Sequence, residues 1–121
     1  MDKATTTGND NYCIEIYNRR FLFGFYNSQW REFLSPNTLA MQRWYYVAAT
    51  WDGASRTVRL YEDGVLVSTQ TATRDLRTNT QGCEIGYSPY GEYWSGRLRD
   101  VRIYNRTLST AEILQIKNGT L

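Results

Sequence analysis

The sequence predicts an all-β fold of antiparallel strands closed by a short C-terminal helix, and three observations carry the prediction. Apolar and polar residues alternate between Val58 and Thr71 on either side of Asp63-Gly64. That arrangement is the strongest short-range signal for a hairpin, because an Asp-Gly pair supplies the positive φ angles of a tight reversal. Near the end, Val101 and Ile103 alternate with Arg102 and Tyr104, as in a strand with one dry face. Leu108-Ser109-Thr110-Ala111-Glu112-Ile113 then reads as a helix start, with Ser109 as N-cap, Glu112 closing a capping box and Leu108 stapled to Ile113.

Taken in order, Met1 to Asn11 is polar and rich in threonine, glycine and asparagine, and is expected to be a flexible arm. Three short aromatic strands follow at Tyr12–Tyr17, Phe21–Tyr26 and Gln29–Leu34. Asn18-Arg19-Arg20 forms the first turn, since asparagine tolerates left-handed backbone. Phe21, Phe23 and Phe25 share one face and are assigned to the core. Ser35-Pro36-Asn37-Thr38 punctuates the chain as a loop. Arg43–Asp52 is a strand of buried character meeting a tight turn at Asp52-Gly53, with Trp44 and Trp51 as structural side chains. Arg56–Glu62 sets Val58 and Leu60 against Arg59 and Tyr61, and Val65–Ala72 returns beside it. A polar connection from Thr73 to Gly82 leads to strands at Cys83–Tyr87 and Arg97–Asn105. Lys117 suits the negative end of the final helix and Gly119 its termination.

Four phrases stand in a fixed order: WYYVAATWDG from Trp44, VRLYEDGVLV from Val58, CEIGY from Cys83 and WSGRLRDVRIYNRTLSTAEILQI from Trp94. Together they resemble the laminin G-like, concanavalin A-like lectin/glucanase family, and Asn11 to Leu34 looks like the middle of such a domain. The resemblance implies one domain over residues 1–121, an all-β, antiparallel two-sheet jelly-roll sandwich with a short C-terminal helix. It also implies an extracellular recognition role, and a jelly roll whose opening strands have no counterpart in this chain. An unpaired sheet edge would follow, with homo-oligomerisation as the simplest remedy.

Charge excludes one class of partner. Fourteen basic and 12 acidic residues leave a net +2, too balanced for electrostatic binding of nucleic acid. The basic residues are arginine except at Lys3 and Lys117, and they read first as solvated strand faces. No run is apolar enough for membrane insertion, and the polar stretch Met1 to Tyr12 is not expected to act as a signal peptide. Localisation is therefore left to the resemblance. Cys13 and Cys83, both in expected strands, read as two buried free thiols, with a single bridge worth about 3–4 kcal/mol as the alternative.

Without histidine the chain has no ordinary triad or histidine base, so an enzyme would rest on carboxylates. Related jelly-roll glycoside hydrolases set two glutamates and an aspartate along one strand face. Here Glu15 lacks a carboxylate at Cys13 or Tyr17, and Glu62 and Asp63 fall on opposite faces. The reading is accordingly non-enzymatic, with hydrolysis third among the alternatives. Cofactors are expected to be absent. Calcium, which relatives hold at a sheet rim, would draw on Asp10, Asn11, Asp75, Asn79, Glu92 and Asp100, residues that read more simply as solvated loop polar groups.

The candidate ligand site is Tyr87-Ser88-Pro89-Tyr90-Gly91-Glu92-Tyr93-Trp94, where aromatics occupy a loop punctuated by proline and glycine. A pyranose offers an apolar face for Tyr90 and Tyr93, Glu92 accepts from hydroxyls and Arg97 donates. Trp94 is assigned to the core. Tyr26, Trp30 and Arg31 form a second, lower-ranked cluster. The expected function is a recognition module for a glycan or glycoprotein, with structural or assembly protein as the rival class. Asn105-Arg106-Thr107 and Asn118-Gly119-Thr120 match glycosylation triplets that local structure already explains.

Overall fold

Two short turns of left-handed backbone set the registers of two antiparallel sheets in the computed structural model, which describes residues 12–78, 80, 82–88 and 91–121. The first sheet runs β1 (Tyr12–Tyr17), β2 (Arg20–Tyr26), β3 (Trp30–Leu34) in that order. Asn18 and Arg19, at φ 48° and 60°, make a two-residue turn, so Arg20 joins the strand and faces Tyr17. Positive φ at both positions matches the right-handed twist of the flanking strands.

The second sheet runs β4 (Val47–Asp52), β5 (Thr57–Glu62), β6 (Val65–Thr71). At its β5–β6 turn Asp63 and Gly64 take φ 51° and 82°. Asp63 also extends the β4 ladder: its N–H donates to Tyr46 O at 2.7 Å and its Oδ1 accepts from Tyr46 N at 3.0 Å. The turn after β4 differs from the expected Asp52-Gly53 reversal. Asp52 faces Thr57 across a four-residue loop, and the left-handed residue is Arg56, at φ 54°. Asp52 instead accepts from Ala54 N at 3.1 Å and Ser55 Oγ at 2.8 Å, a local side-chain turn that competes with a tighter hairpin.

The sheets close on a common core of Phe21, Phe23, Phe25, Phe33, Leu39, Val58, Leu60 and Ala72. Trp51 packs edge-on to Phe25, ring centroids 5.4 Å apart, tying β4 to β2. Parity along β5 explains the rest. Val58 and Leu60 point inward, while Tyr61 points outward and is 1% exposed because a helix covers it. That helix, α1 (Thr110–Lys117), buries Ile113 and Ile116 with Leu108 against Tyr61, flanked by Tyr46 and Ala48. Its two ends are as expected. Ser109 and Glu112 form the capping box, and Gly119 at φ 75° closes a Schellman motif, with Thr120 N donating to Gln115 O at 2.8 Å and Gly119 N to Ile116 O at 3.0 Å.

Four expectations are corrected. Trp44 is 49% exposed: it shares parity with Tyr46 and Ala48, but lies beyond the outer cluster that covers them and before β4 begins. Cys83–Tyr87 contributes only the start of a two-residue strand, β7 (Tyr87–Ser88), paired with β8 (Glu92–Tyr93). Arg97–Asn105 forms no strand. Its alternation is interrupted at Asp100, φ 54°, and every residue in the run is exposed. Cys13 and Cys83 are not bridged, and Cys13 is buried while Cys83 is exposed, because only Cys13 lies in a strand. The Met1 to Asn11 arm lies outside the described residues. Among the described residues no helix is long and apolar enough to cross a membrane.

Candidate functional site

The aromatic hairpin is built by glycine at its base and near its tip. Gly86 and Gly91 hold φ 81° and 82°, and Trp94 N donates to Gly86 O at 2.9 Å, closing the ribbon behind β7 and β8. Tyr87 and Tyr93 are directly opposite in register, so their rings share a face, with centroids 5.2 Å apart. Tyr93 is 77% exposed and Tyr87 41%. The pair is an aromatic platform open to solvent.

Register also divides the residues expected to act together. Glu92 pairs with Ser88 and falls on the ribbon face opposite Tyr93. Arg97 is exposed, beyond Gly96, which at φ 141° passes close to Trp94: a Cβ there would sit 3.2 Å from the indole Nε1. Tyr90 lies outside the described residues. Trp94, assigned to the core, is 39% exposed. In the second cluster Tyr26 and Trp30 are opposite in register and meet edge-on, centroids 6.0 Å apart, with Trp30 42% exposed.

One aromatic site was not anticipated. Arg99 stacks 4.8 Å from the ring centroid of the exposed Trp44. Beside it, Tyr46 has its phenol pushed up, first by burial and then by Tyr104. Arg43 lies 4.1 Å from the Tyr45 ring centroid and pairs with Asp63 at 2.6 Å. The Tyr45 hydroxyl, accepting from Ala40 N and beside Arg43, is lowered. The signal in sequence was the parity of Trp44 with Tyr46, which sends it away from the main core.

Several of the carboxylates considered for chemistry have structural partners. Glu62, at the end of β5, accepts hydrogen bonds from the buried Ser35 Oγ and from Asn37 Nδ2, the latter at 2.9 Å. It thus pins the loop after β3. Asp75 pairs with Arg56 at 2.7 Å and Asp100 with Arg102 at 2.7 Å. Of the other calcium candidates, Asp10, Asn11 and Asn79 lie outside the described residues. Among the described residues no three His, Cys, Asp or Glu side chains converge as a metal site would require.

Two antiparallel sheets closing on one core, with a helix over the outer face of one of them, make a β-sandwich by architecture. The family model described as the concanavalin A-like lectin/glucanases superfamily matches residues 2–114, and the chain belongs to that superfamily. Among solved structures it is similar to the crystal structure of an S-layer domain-containing protein (residues 221–444) from Clostridium thermocellum ATCC 27405, at 23% identity and a TM-score of 0.53. That alignment covers 97% of this chain and 61% of the other, so the chain spans under two thirds of its neighbour, and the likeness is one of fold. No curated protein matches the chain.

Proposed function

We propose that the chain is a non-enzymatic recognition domain that binds carbohydrate on its aromatic ribbon. The observation that supports this reading is the Tyr87–Tyr93 pair, two rings held side by side on a backbone ladder with Tyr93 77% exposed. A tyrosine face loses little conformational freedom on stacking and leaves its hydroxyl for a polar contact, which suits a sugar ring with one apolar face. In this reading Tyr93 stacks, Tyr90 adds a second aromatic face, Arg97 donates to hydroxyls and Glu92 accepts from a glycan that reaches both faces of the ribbon.

A glycan array comparing the native chain with Tyr93→Ala and Glu92→Gln tests it. Native protein is expected to retain one class of glycan. Tyr93→Ala should weaken that retention about tenfold, equivalent to about 1.4 kcal/mol, and Glu92→Gln should weaken it less. Both variants should melt with the native chain, since both side chains are exposed. Retention of no glycan by the native chain, or retention unchanged in Tyr93→Ala, overturns the proposal.

A second reading, assembly through self-association, is favoured by a different observation. Leu98, Val101, Ile103 and Tyr104 are each 41–53% exposed along one run that joins no sheet among the described residues.

A further inference from the structure

We propose that residues 97–105 are a dimerisation strand that pairs antiparallel with the same run of a second copy, about a two-fold axis through Val101. The inference rests on the assembly reading and supplies its surface and register. Three facts lead to it. The run has a strand's composition, yet among the described residues no backbone hydrogen bond joins it to another element. Its apolar side chains are exposed, Ile103 at 53% and Leu98 and Val101 at 42% each. Two opposite charges flank Val101, Asp100 before it and Arg102 after it, while Arg97 and Arg99 mirror the uncharged Asn105 and Ile103.

Charge decides the occupant and the register. In an antiparallel pair centred on Val101, Asp100 of each copy lies opposite Arg102 of the other. Leu98 then meets Tyr104, and Arg99 lays its stem along Ile103. Moving the centre to Asp100 sets two aspartates face to face, and moving it to Arg102 sets two arginines face to face, both unfavourable. Centring between Asp100 and Val101 opposes Arg99 to Arg102. Centring between Val101 and Arg102 leaves both charges opposite aliphatic side chains. Self-pairing on Val101 is the register that satisfies both.

Within one chain Asp100 already accepts from Arg102, at 2.7 Å from Nε and 3.2 Å from Nη2, while Asp100 holds φ 54°. Pairing exchanges this contact for two equivalent ones between copies and straightens the run. It also provides ladder partners for backbone groups that make no backbone hydrogen bond among the described residues, as strand pairing between chains does generally.

Exchange between variants tests the register. The native chain should sediment as a dimer at tens of micromolar. Asp100→Arg alone and Arg102→Asp alone should each be monomeric, because each opposes like charges. A one-to-one mixture of the two variants should recover the dimer: the arginines of one chain then face the aspartates of the other, although neither chain can form its internal pair. As an independent measurement, Val101→Cys in a Cys83→Ser background should form a disulfide-linked dimer on mild oxidation, since residues on the axis lie within bridging distance. A native dimer with single variants that stay dimeric, a mixture that stays monomeric, or a Val101→Cys chain that does not cross-link overturns the register and leaves assembly elsewhere. A monomeric native chain overturns both.

Discussion

Glu112 accepts from Arg106 through both guanidinium Nη atoms, at 2.8 and 3.0 Å, and from Ser109 N at 2.8 Å. The Arg106 guanidinium first, and the N-cap N–H second, hold its carboxyl at about 2 against an ordinary 4.5. The unfolded chain therefore takes up this proton before the folded one does. Stabilisation by these contacts is fully present above about pH 4.5 and is lost as pH falls toward 2. Denaturant unfolding should accordingly show the native chain losing stability more steeply than Glu112→Gln across that window. Asp52 and Asp75 are lowered too, by Ser55 and Arg56 respectively, and cancel in the comparison. Ser35 makes a second case. Its hydroxyl is buried against Glu62, so Ser35→Ala should cost about 1–3 kcal/mol by leaving a carboxylate oxygen without its donor. Thermal or denaturant melts read that loss directly. Neither partnership of Glu62 was visible in sequence, because Ser35 and Asn37 are brought to it by the packing of one sheet against the other rather than by proximity along the chain.

Elements whose geometry is dictated within a few residues were legible. The Asp63-Gly64 turn and the Ser109–Glu112 capping box formed as expected, since each satisfies its backbone groups locally. Ser109→Ala should remove about 1 kcal/mol of stability, and a cycle with Glu112→Ala should be non-additive because the two residues satisfy each other. Gly64 adds a constraint between elements. It holds φ 82°, and a Cβ there would lie 2.9 Å from Leu114 Cδ1 of α1. Gly64→Ala should therefore cost about 1–2 kcal/mol from backbone conformation alone, with further loss where the helix is displaced. The aromatic ribbon was only partly legible. Sequence marked Tyr93 as exposed but joined it to Glu92, whereas a two-residue ladder sends consecutive side chains to opposite faces.

For the whole molecule, sequence order identified the sandwich and misread its last strand, for one reason. The alternation of Val101 and Ile103 with Arg102 and Tyr104 records what the segment is suited to lie against, not whether a neighbour is there. Trp44 was misread similarly: it precedes β4, which is buried on one side by the core and on the other only as far as α1 reaches. That two-sided burial has a consequence for how the molecule opens. The inner and outer clusters share no residue and adjoin through β5, whose Leu60 serves one and Tyr61 the other. The stretch from Leu108 to Ile116 can thus lift away while the phenylalanine core stays closed, making it a separate cooperative unit of lower stability. Native-state hydrogen exchange should find the α1 amides opening together and sooner than those of β2 and β5. Tyr61→Ala should speed exchange in α1 far more than in β2, and equal acceleration in both would mean that the two layers unfold as one.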